Sequence, residues 1–146
     1  MRALLDVNIL IALLDGNHVH HTLVTDWLNK NIAAGWASCP ITENGCIRIL
    51  SQPNYPNTVP AAQVAARLAE AAQHPSHAFW ADSISLLNLA GLRWDNILSS
   101  RHLTDVYLLA LAVQQGGCFI TLDRGISLAA VTGALPEHLV VLSVDI

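Results

Sequence analysis

Residues 4–14 read LLDVNILIALL, and one carboxylate, Asp6, interrupts an otherwise apolar run two positions before Asn8. Ala3 to Leu5 has no polar side chain and reads as a short buried strand. Val7 to Leu14 is apolar on nearly every face and reads as a helix packed on both sides. Asp6 is the joint between them. A buried carboxylate without a partner costs several kcal/mol, so either the backbone uses this one or a cation does. The choice depends on what the rest of the chain brings near it.

Working outward, Asp15, Gly16 and Asn17 mark a turn, after which Val24, Trp27, Leu28 and Ile32 fall at helical spacing up to Gly35. Trp36 to Ser38 reads as a second short strand. Pro40 suits the first turn of a helix running to about Leu50, with Glu43 in its opening turns. The Pro and Asn residues of QPNYPNTVP, 52–60, stop that helix, and the Ala-rich stretch Val59 to Gln73 predicts another. Between His74 and Arg101 the pattern weakens, with a short strand expected around Phe79, Trp80 and ISLLN, 84–88. The segment HLTDVYLLALAVQQGGCFITLDRG, 102–125, is clearer. Thr104 is placed to cap a helix from Asp105 to Gln115, with Val106, Leu109, Ala110 and Val113 on one face. Gly116 and Gly117 close it, Cys118 to Leu122 is an apolar strand, and Asp123 follows as Asp6 follows Leu5. Leu139 to Leu142 predicts a last strand. Apolar strands separated by helices imply a mostly parallel central sheet covered on both faces, a three-layer α/β/α domain.

Composition narrows the function. The chain has 146 residues, 53% hydrophobic and 12% charged, with a mean hydropathy of +0.43. That length fits one domain spanning residues 1–146, with no repeat or linker to divide it. The hydrophobic excess predicts a protein partner rather than a membrane, because the longest apolar run is far short of the roughly 20 residues a spanning helix needs. Asp6 also splits the only stretch resembling a signal peptide, so a cytoplasmic location is expected. Three cysteines, Cys39, Cys46 and Cys118, lack metal-ligand spacing and read as buried small hydrophobes. His18, His20 and His21 lie after a turn and read as a solvated loop. The formal net charge is −4, with seven Lys plus Arg against eleven Asp plus Glu, so no basic footprint advertises nucleic-acid binding. An enzyme that holds divalent cations must nevertheless be acidic at its site, and few arginines predict few phosphate contacts and a shallow salt dependence.

Asp6, Glu43, Asp105 and Asp123 each have a structural explanation as a helix cap, a partner for a helix N-terminus or a turn residue. Together they say more. In a parallel α/β sheet ligands bind beyond the carboxyl ends of the strands, and all four fall at such ends. Four carboxylates there repel one another unless cations sit among them, and an all-oxygen donor set suits Mg²⁺ or Mn²⁺. Nucleophile elbows of the GxSxG type and glycine-rich phosphate loops are absent from the sequence.

LLDVNIL, ITENG around Glu43, LTDVYLLALA around Asp105 and FITLDRG around Asp123 resemble the PIN-domain ribonucleases, and within them the VapC-type toxins of prokaryotic toxin–antitoxin pairs. The likeness spans most of the chain except roughly residues 51–100. It implies a PIN-like fold in which Asp6, Glu43, Asp105 and Asp123 form a catalytic, metal-binding cluster, supported by Asn8 and Thr121. It also implies an RNA substrate, Mg²⁺ with Mn²⁺ as a possible substitute, in-line attack by an activated water, and a cognate small antitoxin. With the hydrophobic excess, it leads to the expectation of a homodimer whose antitoxin lays a helix in an apolar groove. Arg101 and Arg124 are the basic residues best placed to meet substrate phosphates. Two other functions compete: an aspartate-based phosphotransfer or phosphatase domain, disfavoured because Asn8 stands where a second acid is wanted, and a catalytically silent binding module.

Overall fold

The computed structural model describes residues 1–88 and 90–143. Among the described residues, five short strands form one sheet: β1 (Ala3–Leu5), β2 (Trp36–Ser38), β3 (His77–Phe79), β4 (Cys118–Thr121) and β5 (Leu139–Val141). Every pairing is parallel and the spatial order is β3-β2-β1-β4-β5. Five α-helices connect them: α1 (Val7–Leu14), α2 (His21–Asn31), α3 (Pro40–Leu50), α4 (Ala61–Ala72) and α5 (Leu103–Gln114).

Alternation along the strands divides the core into two layers. Ala3 and Leu5 of β1, Trp36 of β2, and Cys118 and Ile120 of β4 pack with Ile9, Leu10, Val24, Cys46, Leu50, Val64 and Leu68 from α1 to α4. Leu4, Ala37 and Phe119 point the other way, onto Val106 to Ala112 of α5. The sheet is thus the middle layer of an α/β/α arrangement, as its apolar strands imply. Gly45 permits the close crossing of α1 and α3, since a Cβ there would stand 2.6 Å from a Val7 methyl. That crossing brings the residues after β1 and β2 side by side.

The strand order reverses direction at β1, with β2 and β3 on one side and β4 and β5 on the other. Connections leaving β1 and β4 diverge there, which opens a crevice at their carboxyl ends. Asp6 follows β1 directly, and Asp123 comes two residues after β4. α5 leads back into β4, so its N-terminus lies at the same end of the sheet.

Local differences from the sequence reading have physical causes. α5 begins at Leu103, with His102 at its N-cap, so Thr104 does not cap it; no side-chain cap bond is made. The helix is buried on nearly all sides from Val106 to Ala112 rather than along one stripe, because residues 84–86 and 92–97 cover the face turned from the sheet: Tyr107 Oη donates to the Ile84 carbonyl at 3.0 Å, and Ile84, Leu86, Leu92 and Ile97 join its cluster. Of the strand expected around Phe79, Trp80 and 84–88, the Phe79 part lies in β3 (His77–Phe79), while 84–88 lies outside any strand, with a turn at 86–87. β3 is an edge strand with one neighbour and no continuous apolar pattern, which is why periodicity misplaces it. α4 starts at Ala61, after Pro60. His21 opens α2 and its Nδ1 meets the Ala12 carbonyl at 2.6 Å, so the histidine tract is docked on α1 rather than fully solvated. All three cysteines are buried and free. Among the described residues, no helix is long and apolar enough to cross a membrane.

Candidate active site

Asp6 is 5% exposed. It does the work of a cap and more. One oxygen, Oδ1, accepts from the Val7 backbone N–H at 2.7 Å. The other, Oδ2, accepts from the Thr121 hydroxyl at 2.6 Å. Thr121 Oγ1 in turn accepts from the Asp123 backbone N–H at 3.0 Å, and Asn8 Nδ2 reaches it at 3.4 Å. Asn8 Oδ1 accepts from the Leu122 backbone N–H at 3.2 Å. Asn8 and Thr121 therefore tie the start of α1 to the end of β4 and hold the chain before Asp123 against Asp6. Within DVN and TLD, these two short polar side chains satisfy the backbone where strand pairing stops.

Asp6, Asp105 and Asp123 present carboxylate oxygens that all lie within 4.8 Å of one another. Burial pushes the Asp6 carboxyl from its ordinary 3.8 to about 6; the Thr121 and Val7 hydrogen bonds oppose the rise and the Asp123 charge adds to it. Asp105 is pushed to about 7, by burial first and then by the charges of Asp6 and Asp123. Three converging carboxylates, two of them with raised pKa, form a site short of positive charge. A hard divalent cation fits both the oxygen donors and the charge deficit.

Glu43 stands apart from this trio. Its Oε2 accepts from the buried Ser38 hydroxyl at 2.6 Å, and Ser38 Oγ also lies 2.8 Å from His77 Nε2. Burial holds the His77 imidazole below its ordinary value, against the upward pull of the Ala72 carbonyl and the Glu43 charge. The structure thus brings three of the four expected acids within 4.8 Å of one another and places the fourth in the first turn of α3, hydrogen-bonded to Ser38 at the end of the neighbouring strand β2.

Arg101 and Arg124 line a cleft of about 290 Å³ together with His102, Asp105, Asp123 and Gly125. A Cβ on Gly125 would stand 2.8 Å from His102 Nε2, so the absence of a side chain there admits the imidazole. A second cleft, of about 440 Å³, is lined by Val7, Asn44 and Thr104, the immediate neighbours of Asp6, Glu43 and Asp105, and by Arg48 and Asp82. Sequence reasoning passed over Ser38, His77, His102 and Asp82. Ser38 carried a signal, as the one polar residue ending β2, whereas the 39-residue separation of His77 from Ser38 carried none.

Thr121→Val tests the local electrostatics. Removing the hydroxyl leaves Asp6 Oδ2 buried without its donor, at a cost of about 1–3 kcal/mol. A lower midpoint in urea at neutral pH is expected, with an upward shift of the Asp6 titration in carboxylate NMR. An unchanged Asp6 titration would show that the 2.6 Å contact carries no weight.

The PIN domain family matches residues 3–131. Ribonuclease VapC44 of Mycobacterium tuberculosis (strain H37Rv) is 46% identical over 142 residues, covering 97% of this chain and 100% of its own. Ribonuclease VapC39 of the same strain is 41% identical over 136 residues, covering 91% and 96%. Ribonuclease VapC38, also of that strain, is 36% identical over 128 residues, covering 85% and 86%. With matches of this extent across the sheet, α5 and the acidic crevice, the chain belongs to the PIN-domain family, in its VapC group.

Proposed function

We propose that this protein is a divalent-metal-dependent endoribonuclease and the toxin of a toxin–antitoxin pair. The observation that carries the reading is the convergence of Asp6, Asp105 and Asp123 within 4.8 Å in a chain whose relatives are named ribonucleases. Mg²⁺ is the proposed cofactor, with Mn²⁺ as a substitute. When bound, the cation supplies charge neutralisation at the phosphate and acidifies a water that attacks the phosphorus.

The side chains divide the remaining work. Asp6, Asp105, Asp123 and Glu43 are the proposed ligands, with Asn8 and Thr121 fixing the first and third of these acids in relation to each other. Arg101 and Arg124 meet phosphates flanking the cut, and the cleft lined by Asn44, Arg48, Asp82 and Thr104 receives the neighbouring unpaired nucleotide. An RNA target with splayed, single-stranded bases suits such open clefts, since bases must leave the stack to be read. The antitoxin seat we propose is the apolar groove between α1, α2 and α4, lined by Leu10, Leu13, Leu28, Ile32, Trp36 and Leu68. An amphipathic helix lays its apolar face into a groove of this kind. A homodimer is proposed as well, and monomeric light scattering at tens of micromolar would exclude it.

Arg101→Ala and Arg124→Ala are each expected to weaken RNA binding and to reduce the salt slope by about 1, while Mn²⁺ affinity stays at the parent value. Fluorescence polarisation at several KCl concentrations measures this. Parent-like slopes in both variants would remove the arginines from the substrate path. The reading as a whole is tested by incubating purified protein with total RNA, with Mg²⁺ and with chelator, and mapping the cleaved ends. Discrete cuts that require the cation are expected; intact RNA in both buffers would leave the silent binding module in its place.

A further inference from the structure

We propose that Ser38 and His77 are positioning residues for Glu43, a two-part clamp that fixes this carboxylate for its role beside the acidic trio. The inference rests on the reading of Glu43 as the fourth cation ligand. Ser38 ends β2 and is 1% exposed. Its Oγ lies 2.6 Å from Glu43 Oε2 and 2.8 Å from His77 Nε2. A hydroxyl has one proton to give, and an ionised carboxylate only accepts. Ser38 Oγ donates to Glu43 Oε2, and in the tautomer with hydrogen on Nε2 His77 donates in turn to Ser38. The chain of donation runs from His77 to Ser38 to Glu43.

The far end of this chain is itself anchored. Parallel pairing sets Trp36 beside His77, and their rings pack with centroids 4.4 Å apart at an interplanar angle of 53°. Trp36 is held in turn by a hydrogen bond from its Nε1 to Ser76 Oγ at 3.1 Å. The imidazole thus has one orientation, and so does the hydroxyl that depends on it. Glu43 needs such help more than its companions do. Its side chain has one more rotatable bond than an aspartate and loses more freedom on being fixed. It also starts from α3, one strand away from the β1 and β4 ends that hold Asp6 and Asp123. With Oε2 occupied by Ser38, the carboxylate is held in one rotation and Oε1 is left for the cation. Partners that orient a metal ligand in this way typically change metal affinity or activity by about 10–100-fold when removed.

Calorimetric titration of the full chain with Mn²⁺ at neutral pH tests the clamp, beside RNA cleavage kinetics and a melting curve for each variant. Ser38→Ala is expected to weaken Mn²⁺ binding about 10-fold and to lower kcat with KM for RNA unchanged. His77→Phe keeps the ring packing on Trp36 but lacks the donor, and is expected to lose several-fold. His77→Gln, whose amide N–H replaces Nε2–H, should recover most of that loss. In a Glu43→Gln background, adding Ser38→Ala should weaken Mn²⁺ binding no further, because the clamp then has no carboxylate to orient. An equal additional loss in that background would show a merely structural role and overturn the proposal, as would His77→Gln failing alongside His77→Phe. Parent-like Mn²⁺ affinity in Ser38→Ala, with Glu43→Gln impaired, would overturn the clamp and leave Glu43 as a ligand. Parent-like affinity in Glu43→Gln would remove both.

Discussion

Asp6→Asn is expected to lose RNA cleavage by a factor on the order of 10² to 10³, the scale seen when one preorganised electrostatic group is deleted from an active site, while the fold survives. The substitution is informative because it separates two roles of the same side chain. As a cap, Asp and Asn are nearly equivalent, and an Asn oxygen can still accept from the Val7 N–H that now bonds Oδ1. As a cation ligand, Asn lacks the charge. In chelator the variant should melt at or above the parent temperature, because one member of a repelling trio has been neutralised. In saturating Mg²⁺ the order should reverse. A cation at 100 times its dissociation constant stabilises the parent by about 2.7 kcal/mol, or several degrees in a chain of this size, and the variant forgoes most of that. If Asp6→Asn cleaves RNA at the parent rate and the two proteins melt alike in both buffers, Asp6 is a cap and nothing more.

The second large effect is a pH dependence that the cation removes. Asp6 and Asp105 sit at about 6 and about 7 in the fold, against an ordinary value of 3.8. A carboxyl raised on folding binds its proton more tightly in the native state than in the unfolded one. Its contribution to stability is therefore fully present below about pH 3.8 and is lost as the pH rises through 6 to 7. His18 and His77 are held below their ordinary values by burial and act in the opposite sense. The discriminating quantity is the parent melting temperature minus that of Asp105→Asn. In chelator it should become steadily more negative between pH 5 and pH 8, and in saturating Mg²⁺ it should turn positive at the upper end, since the cation binds the ionised acids. A difference that stays flat across this range in chelator would mean that neither burial nor the neighbouring acids raise Asp105.

Much of this site was legible because the chain writes it locally. Asp6 stands directly beyond β1 and Asp123 two residues beyond β4, each a carboxylate at the end of an apolar run, and the parallel order β2-β1-β4 makes those ends neighbours. α5 reads as a helix from its apolar content, but Thr104 offers a cap that the chain does not use, because the helix starts two residues earlier, at Leu103, with His102 at its N-cap. The segment from His74 to Arg101 stayed opaque for a different reason. β3 is three residues long and pairs on one side only, and the loop after it is fixed by contacts such as Tyr107 with Ile84, 23 residues apart. No periodicity encodes contacts of that range. The partners of Glu43 were hidden in the same way, since Ser38 and His77 meet only because β2 and β3 pair.

In the proposed function the acidic crevice holds the cation on which RNA hydrolysis depends. The most direct measurement titrates Mn²⁺ into the chelated protein while following both bound metal, by its electron paramagnetic resonance signal, and the cleavage rate of one defined RNA. Binding and rate are expected to saturate together, and Asp105→Asn to lose both while melting cooperatively. RNA cleaved at full rate in chelator, or Mn²⁺ bound equally by the parent and by Asp105→Asn, would contradict it.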